Sequence, residues 1–179
     1  MELFDILGAR PKAATETAFF QWFHLEPVPA ESGGRTMRFR PSGPSFKNEV
    51  ALDITVDGEG NVAQFALCVQ RGFIADARNG PFAADITASF VAGVISANDR
   101  PAAEPLIAAL RREMVNRPTV IARAGAVPEE QPLGAWSGAM DVYYGSADSF
   151  EPELSRCELS FQNEVTPTGH ELRIVARAC

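Results

Sequence analysis

The stretch VALDITVDGEGNVAQFALCVQ, residues 50–70, decides the fold class. Val50, Leu52, Ile54 and Val56 alternate with Ala51, Asp53 and Thr55, the pattern that sends successive side chains to opposite faces of a strand. Phe65, Leu67 and Val69 resume it after Asp57-Gly58-Glu59-Gly60-Asn61, and Asp57-Gly58 supplies the positive φ that a tight connection requires. The two runs predict an antiparallel hairpin.

Working outward, TMRFRP (36–41) is a further strand, with Met37 and Phe39 against Arg38 and Arg40 and Pro41 at its end. After the hairpin, Phe82, Ile86, Phe90 and Val94 recur every fourth residue, and Ile95, Ala83, Ala84, Ala88 and Ala92 fill the other sides. A helix that apolar is buried on more than one side. Asn98-Asp99 breaks the chain. Leu106, Leu110 and Met114 then line a second helix whose outer face carries Arg111, Arg112 and Glu113, and Pro118 prevents its continuation. The alternation returns in TVIARA (119–124), followed by a loop, VPEEQP (127–132). A longer strand is expected over AWSGAMDVYYG (135–145), with Trp136, Gly138, Met140, Val142 and Tyr144 on one side. Cys157, Leu159, Phe161 and Val165 mark the next strand, and Leu172, Ile174 and Ala176, opposite Arg173, Val175 and Arg177, mark the last.

At the other end, ATETAFFQWFHLEP (14–27) has helical spacing, with Thr15 or Thr17 as cap and Pro27 and Pro29 as stops. PVPAESGG (27–34) reads as a loop or tether. The element order is therefore helix, three strands, two helices, four strands. This predicts an α+β fold, a largely antiparallel β-sheet covered by helices. Residues 1–34 are an N-terminal helical segment and linker, residues 35–179 one α+β domain, and the whole is long enough to fold as one compact unit. The same order recurs among small adaptor and chaperone proteins, an analogy of order alone.

SFKNEV (45–50) returns as SFQNEV (160–165). The first copy leads into a hairpin arm and the second closes a strand, whereas a duplicated unit places both copies alike. The echo reflects shared edge-of-strand chemistry and is not a binding motif.

Charge narrows the partners. Sixteen basic against 23 acidic residues give the 179-residue chain a net charge of −7, which argues against nucleic acid and anionic membrane. The N-terminal MELFDILGARPK has Glu2 and Asp5 where an export signal carries positive charge, and its apolar run stops at Gly8. No run reaches the roughly 18 apolar residues a spanning helix needs. A soluble, cytoplasmic protein is the expectation, and Cys68, Cys157 and Cys179 are too few and too scattered for a disulfide framework.

Chemistry offers few handles. His24 and His170 match no metal-binding spacing and no Cys-x-x-Cys occurs, so no metal and no cofactor are expected. Gly33-Gly34 and Gly58/Gly60 lack the helix start and lysine of a phosphate loop. WSGAM around Ser137 has Ala135 in place of the first glycine of a nucleophile elbow.

Two candidate sites remain. Phe19, Phe20, Trp22 and Phe23 fan across more than half of a short helix, so either the segment is enclosed by its own domain or it presents an interface to another protein or another copy of the chain. Arg71, Asp76, Arg78 and Asn79, in QRGFIADARNGPF (70–82), form a candidate ligand loop at a sheet edge. The alternative there is a turn at Asn79-Gly80, with Asp76 paired to an arginine. The expected function is a non-catalytic protein-interaction or assembly module, such as an adaptor, chaperone or structural subunit. The alternative is a small-molecule enzyme or binder with a pocket between sheet and helices, using Arg71, Arg78 and His24 or His170.

Overall fold

A computed structural model describes residues 1–43, 46, 48–115 and 132–179. Among these, seven strands form one antiparallel sheet: β1 (Leu25–Pro27), β2 (Thr36–Pro41), β3 (Val50–Val56), β4 (Val62–Gln70), β5 (Ser149–Phe150), β6 (Cys157–Thr166) and β7 (Gly169–Ala178), in the order β1-β2-β3-β4-β7-β6-β5. The expected hairpin is β3–β4, with Leu52 opposite Leu67 and Ile54 opposite Phe65. Helices α1 (Ala18–Trp22), α2 (Arg71–Ala75), α3 (Gly80–Val94), α4 (Arg100–Val115) and α5 (Ser137–Tyr144) complete the α+β architecture.

Alternation along the strands separates two faces. Phe39, Val50, Leu52, Ile54, Phe65, Leu67, Val69, Leu159, Phe161, Leu172, Ile174 and Ala176 are buried in one apolar cluster with Ile86, Phe90 and Val94 of α3, Leu106, Ile107 and Leu110 of α4, and Met140 and Tyr143 of α5. Each such side chain contributes about 1.5–3 kcal/mol by leaving water. Leu3, Ile6, Ala14, Phe19, Phe20 and Phe23 join the same cluster from the N-terminal segment.

Cross-strand rows of the opposite face are polar at the margins and small in the middle. One row runs Arg38, Asp53, Ala66, Val175, Ser160, and Cys68 faces Arg173 in the next. Ala51, Asp53, Ala66, Cys68 and Val175 are buried there.

Three sequence expectations are corrected. Residues 135–145 are not a strand: a 3-10 turn (Gly134–Trp136) leads into α5, which ends at Gly145 in the left-handed region, φ 81°. Trp136, Ala139, Met140 and Tyr143 are buried while Ser137, Asp141 and Tyr144 face out, a helical spacing. Both periodicities contain Trp136 and Met140, so the apolar pattern suited either element. Second, the tether read over 27–34 is folded: it includes the end of β1 and a 3-10 turn at Pro29–Glu31. The Ser32 hydroxyl donates to the Val28 carbonyl and accepts from the Arg38 amide, both at 3.0 Å, which ties this segment to β2. Third, the helix expected within residues 14–27 is only α1, since Thr17 caps it and His24 turns the chain at φ 48° into β1. The strand expected over 119–124 lies outside the described residues, as does all but the last residue of the loop expected over 127–132.

The echoed hexapeptides occupy different places. Asn48 is exposed in the turn before β3. Asn163 sits inside β6, where its amide donates to the carbonyls of Val142 (2.9 Å) and Ala147 (2.7 Å) at the end of α5.

Candidate functional site

The four residues of the aromatic segment part company. Phe20 points to the sheet and meets Phe39 at 5.0 Å between ring centroids. Phe19 packs on Phe90 and Phe23 on Phe82, both of α3. One turn of helix thus places aromatic rings on two elements, which leaves the fourth position outward. Trp22 is 72% exposed.

Trp22 overhangs a groove of about 330 Å³ lined by Phe19 and Phe23 of the N-terminal segment, Asp85, Ser89 and Ala92 of α3, and Arg111 of α4. Ala18, Glu2 and Arg100 line it as well. The Ser89 hydroxyl hydrogen-bonds the Asp85 carboxyl at 3.5 Å. Burial holds that carboxyl above the ordinary aspartate value, against the opposing influence of the neighbouring Trp22 and Ser89 side chains and the Arg111 charge. The indole thus stands beside Asp85 with most of its surface open to solvent.

The loop candidates do not converge. The Arg71 guanidinium donates to the carbonyls of Tyr143 (2.6 Å) and Val142 (3.3 Å), capping the last turn of α5. Gly145 makes room for it, since a Cβ there would collide with the guanidinium. The Asp76 carboxylate accepts from the amides of Arg78 and Asn79, each at 2.8 Å, at the entry to α3. Arg78 is exposed. A hollow of about 250 Å³ beside Arg71 is lined by Ile74, Ala75, Glu113, Tyr143 and Tyr144, and contains neither Asp76 nor Arg78. His24 precedes β1 and His170 lies in β7, with β2, β3 and β4 between them.

A site that the sequence reading missed lies on the opposite face of the sheet, the face of Arg38, Ala51 and Cys68. A cavity of about 460 Å³ is bounded by Glu31, Arg38, Arg40, Glu49, Gln70 and Glu171, with Ala51 and Cys68 on its floor. Arg38 grips Asp53 with two bonds of 2.7 Å. Asp53 is buried, and this hydrogen-bonded pairing, against the opposing effect of burial, drives the guanidinium pKa up. Arg40 grips Glu31 and also donates to the Val50 carbonyl at 3.1 Å. The Glu31 carboxyl is held below its ordinary value, chiefly by the Arg40 bond. Both arginines are thus engaged by the chain's own acceptors.

Burial pushes the Cys68 thiol up to about 12, so it is no thiolate nucleophile near neutral pH. Burial also raises Glu171, which receives a 3.2 Å bond from the Gln70 amide. The signal for this face was present in the alternation Arg38, Arg40 and Ala51, Asp53, but the small floor residues show as a cavity only once seven strands are in register.

Among the described residues no cluster of His, Cys, Asp and Glu has the geometry of a metal site, and no helix is long and apolar enough to cross a membrane. Comparison with known proteins gives no matching family model, no significantly similar curated protein and no significantly similar solved structure.

Proposed function

We propose that this chain is a non-catalytic protein-binding module, an adaptor or assembly subunit, which engages another protein through the groove beneath Trp22. The observation that carries this reading is the placement of Trp22: a large aromatic side chain, open to solvent, beside a partly apolar hollow. Tryptophan is enriched among the side chains that dominate interface energetics. The space between sheet and helices supports the same reading, being filled by Phe65, Phe90, Phe161 and Tyr143. A cytoplasmic setting goes with the proposal and suits the three free thiols.

The test is capture from native lysate with wild-type chain and with Trp22→Ala, each checked by melting. A partner captured in fixed stoichiometry by wild type and lost with Trp22→Ala, at an unchanged melting temperature, supports the proposal. Capture indifferent to Trp22 overturns it. As a control on the geometry, Phe20→Ala should cost about 3–5 kcal/mol of stability, whereas Trp22→Ala should cost less than about 1 kcal/mol.

A second reading, a small-molecule binder, is favoured by the 460 Å³ cavity on the sheet face. With both arginines engaged, its remaining carboxylate and amide groups suit a ligand that donates hydrogen bonds, such as an amine. A thermal-shift panel of amines, run beside Glu171→Gln, tests it: a shift for wild type alone supports that reading, and no shift removes it.

A further inference from the structure

The Trp22 groove carries more than exposed aromatic area. Among the described residues, the exposed large apolar side chains are Met1 (53%), Trp22 (72%), Tyr144 and Val165. The Met1 carbonyl accepts from the Ala18 amide at the start of α1, 3.3 Å away. The exposed Trp22 ring stands beside a hollow of about 330 Å³. A knob next to a hole is the shape that a two-fold axis can match with itself.

Charge follows the same rule. The acids Glu2 and Asp85 come from the N-terminal segment and α3, whereas the bases Arg100 and Arg111 come from α4. The Arg111 side chain is 57% exposed and touches Glu104 only at 4.0 Å. Arg100 reaches back to the Ala92 carbonyl. The groove thus carries two acids and two bases and is locally balanced in formal charge, while the chain as a whole carries −7. Two copies meeting through an acidic surface repel one another. Meeting here they do not, and a two-fold axis can set the acids of one copy's groove against the bases of the other's.

We infer that the occupant of the Trp22 groove is a second copy of this chain, in a symmetric dimer with Trp22 of each copy seated in the hollow of the other. This rests on the reading of Trp22 as a protein-binding surface and names the partner.

Sedimentation equilibrium of wild type, Trp22→Ala and Arg111→Glu tests it, with lysate capture by the wild-type and Trp22→Ala chains run alongside and melting curves to confirm the fold. The expected result is a wild-type dimer below about 100 μM, weakened about tenfold or more by each substitution. A dimer that neither substitution weakens overturns the inference, because the contact then lies elsewhere. A monomeric wild type that still captures a different protein in a Trp22-dependent way overturns self-association while leaving the protein-binding surface standing. A monomeric wild type with no Trp22-dependent capture overturns both.

Discussion

At the scale of single residues, burial shifts the acid–base chemistry of several groups. Asp85 is one case, because burial is the largest effect on its carboxyl and raises its pKa. An acid whose folded pKa lies above the unfolded one binds its proton more tightly in the fold. Its contribution is fully present below the ordinary value of 3.8 and is lost as pH rises through the folded value. Asp85→Asn, which keeps the shape of the side chain, should therefore raise the melting temperature at pH 7. The gain should shrink as pH falls through the folded value and be gone below 3.8, as a melting series across pH would read. The cysteines obey the same logic. Burial pushes Cys68 up to about 12 and Cys157 up to about 11, and Cys179 is exposed. A thiol-reactive disulfide reagent at neutral pH should label Cys179 alone in the native chain and all three cysteines after denaturation. Rapid native labelling of Cys68 would contradict the packing of the sheet face.

At the scale of elements, α5 and its neighbour β5 show how close contact selects a residue. A Cβ on Gly138 would run into the Phe150 ring, which also packs on Trp136 (6.2 Å) and Phe161 (6.1 Å). Gly138→Ala should cost about 1–3 kcal/mol. Phe150→Val should relieve part of that cost, giving a coupling of about 0.5–3 kcal/mol in a double-mutant cycle measured by denaturant unfolding. The same element marks where sequence reasoning reached its limit. The β3–β4 hairpin was legible because two alternating runs flank a Gly-rich turn, although the positive φ of that turn falls at Gly60 (81°) and not at the expected Asp57-Gly58, and the register shifts between Thr55 and Val56. In α5, Trp136 and Met140 fit both periods, and the Val142, Tyr143 and Tyr144 run has strand propensity, so only packing decided between them. The short edges β1 and β5 had no signal of their own, being two or three residues held by the strand beside them. The candidate site was half legible. Surplus aromatic bulk around residues 19–23 was visible, but which ring stays outside depends on α3 and β2, which lie far along the chain. Arg71 gave no hint that it caps a helix more than 60 residues away, since α5 itself had been read as a strand.

At the scale of the whole molecule, the described residues form one sheet with helices packed on one face and a polar cavity on the other. Arg38 is engaged by Asp53 and Arg40 by Glu31 at that cavity, while on the helical side α1, α3 and α4 frame the opening under Trp22. The central claim is that this opening is covered by protein. It is tested most directly by fluorine NMR of the chain labelled with fluorotryptophan, which gives one resonance each for the exposed Trp22 and the buried Trp136. On concentrating the chain, or on adding native lysate, the Trp22 resonance should shift, broaden and lose its sensitivity to exchange of water for heavy water, while the Trp136 resonance stays where it is. A Trp22 resonance that keeps its position, width and solvent sensitivity in both experiments would contradict the claim.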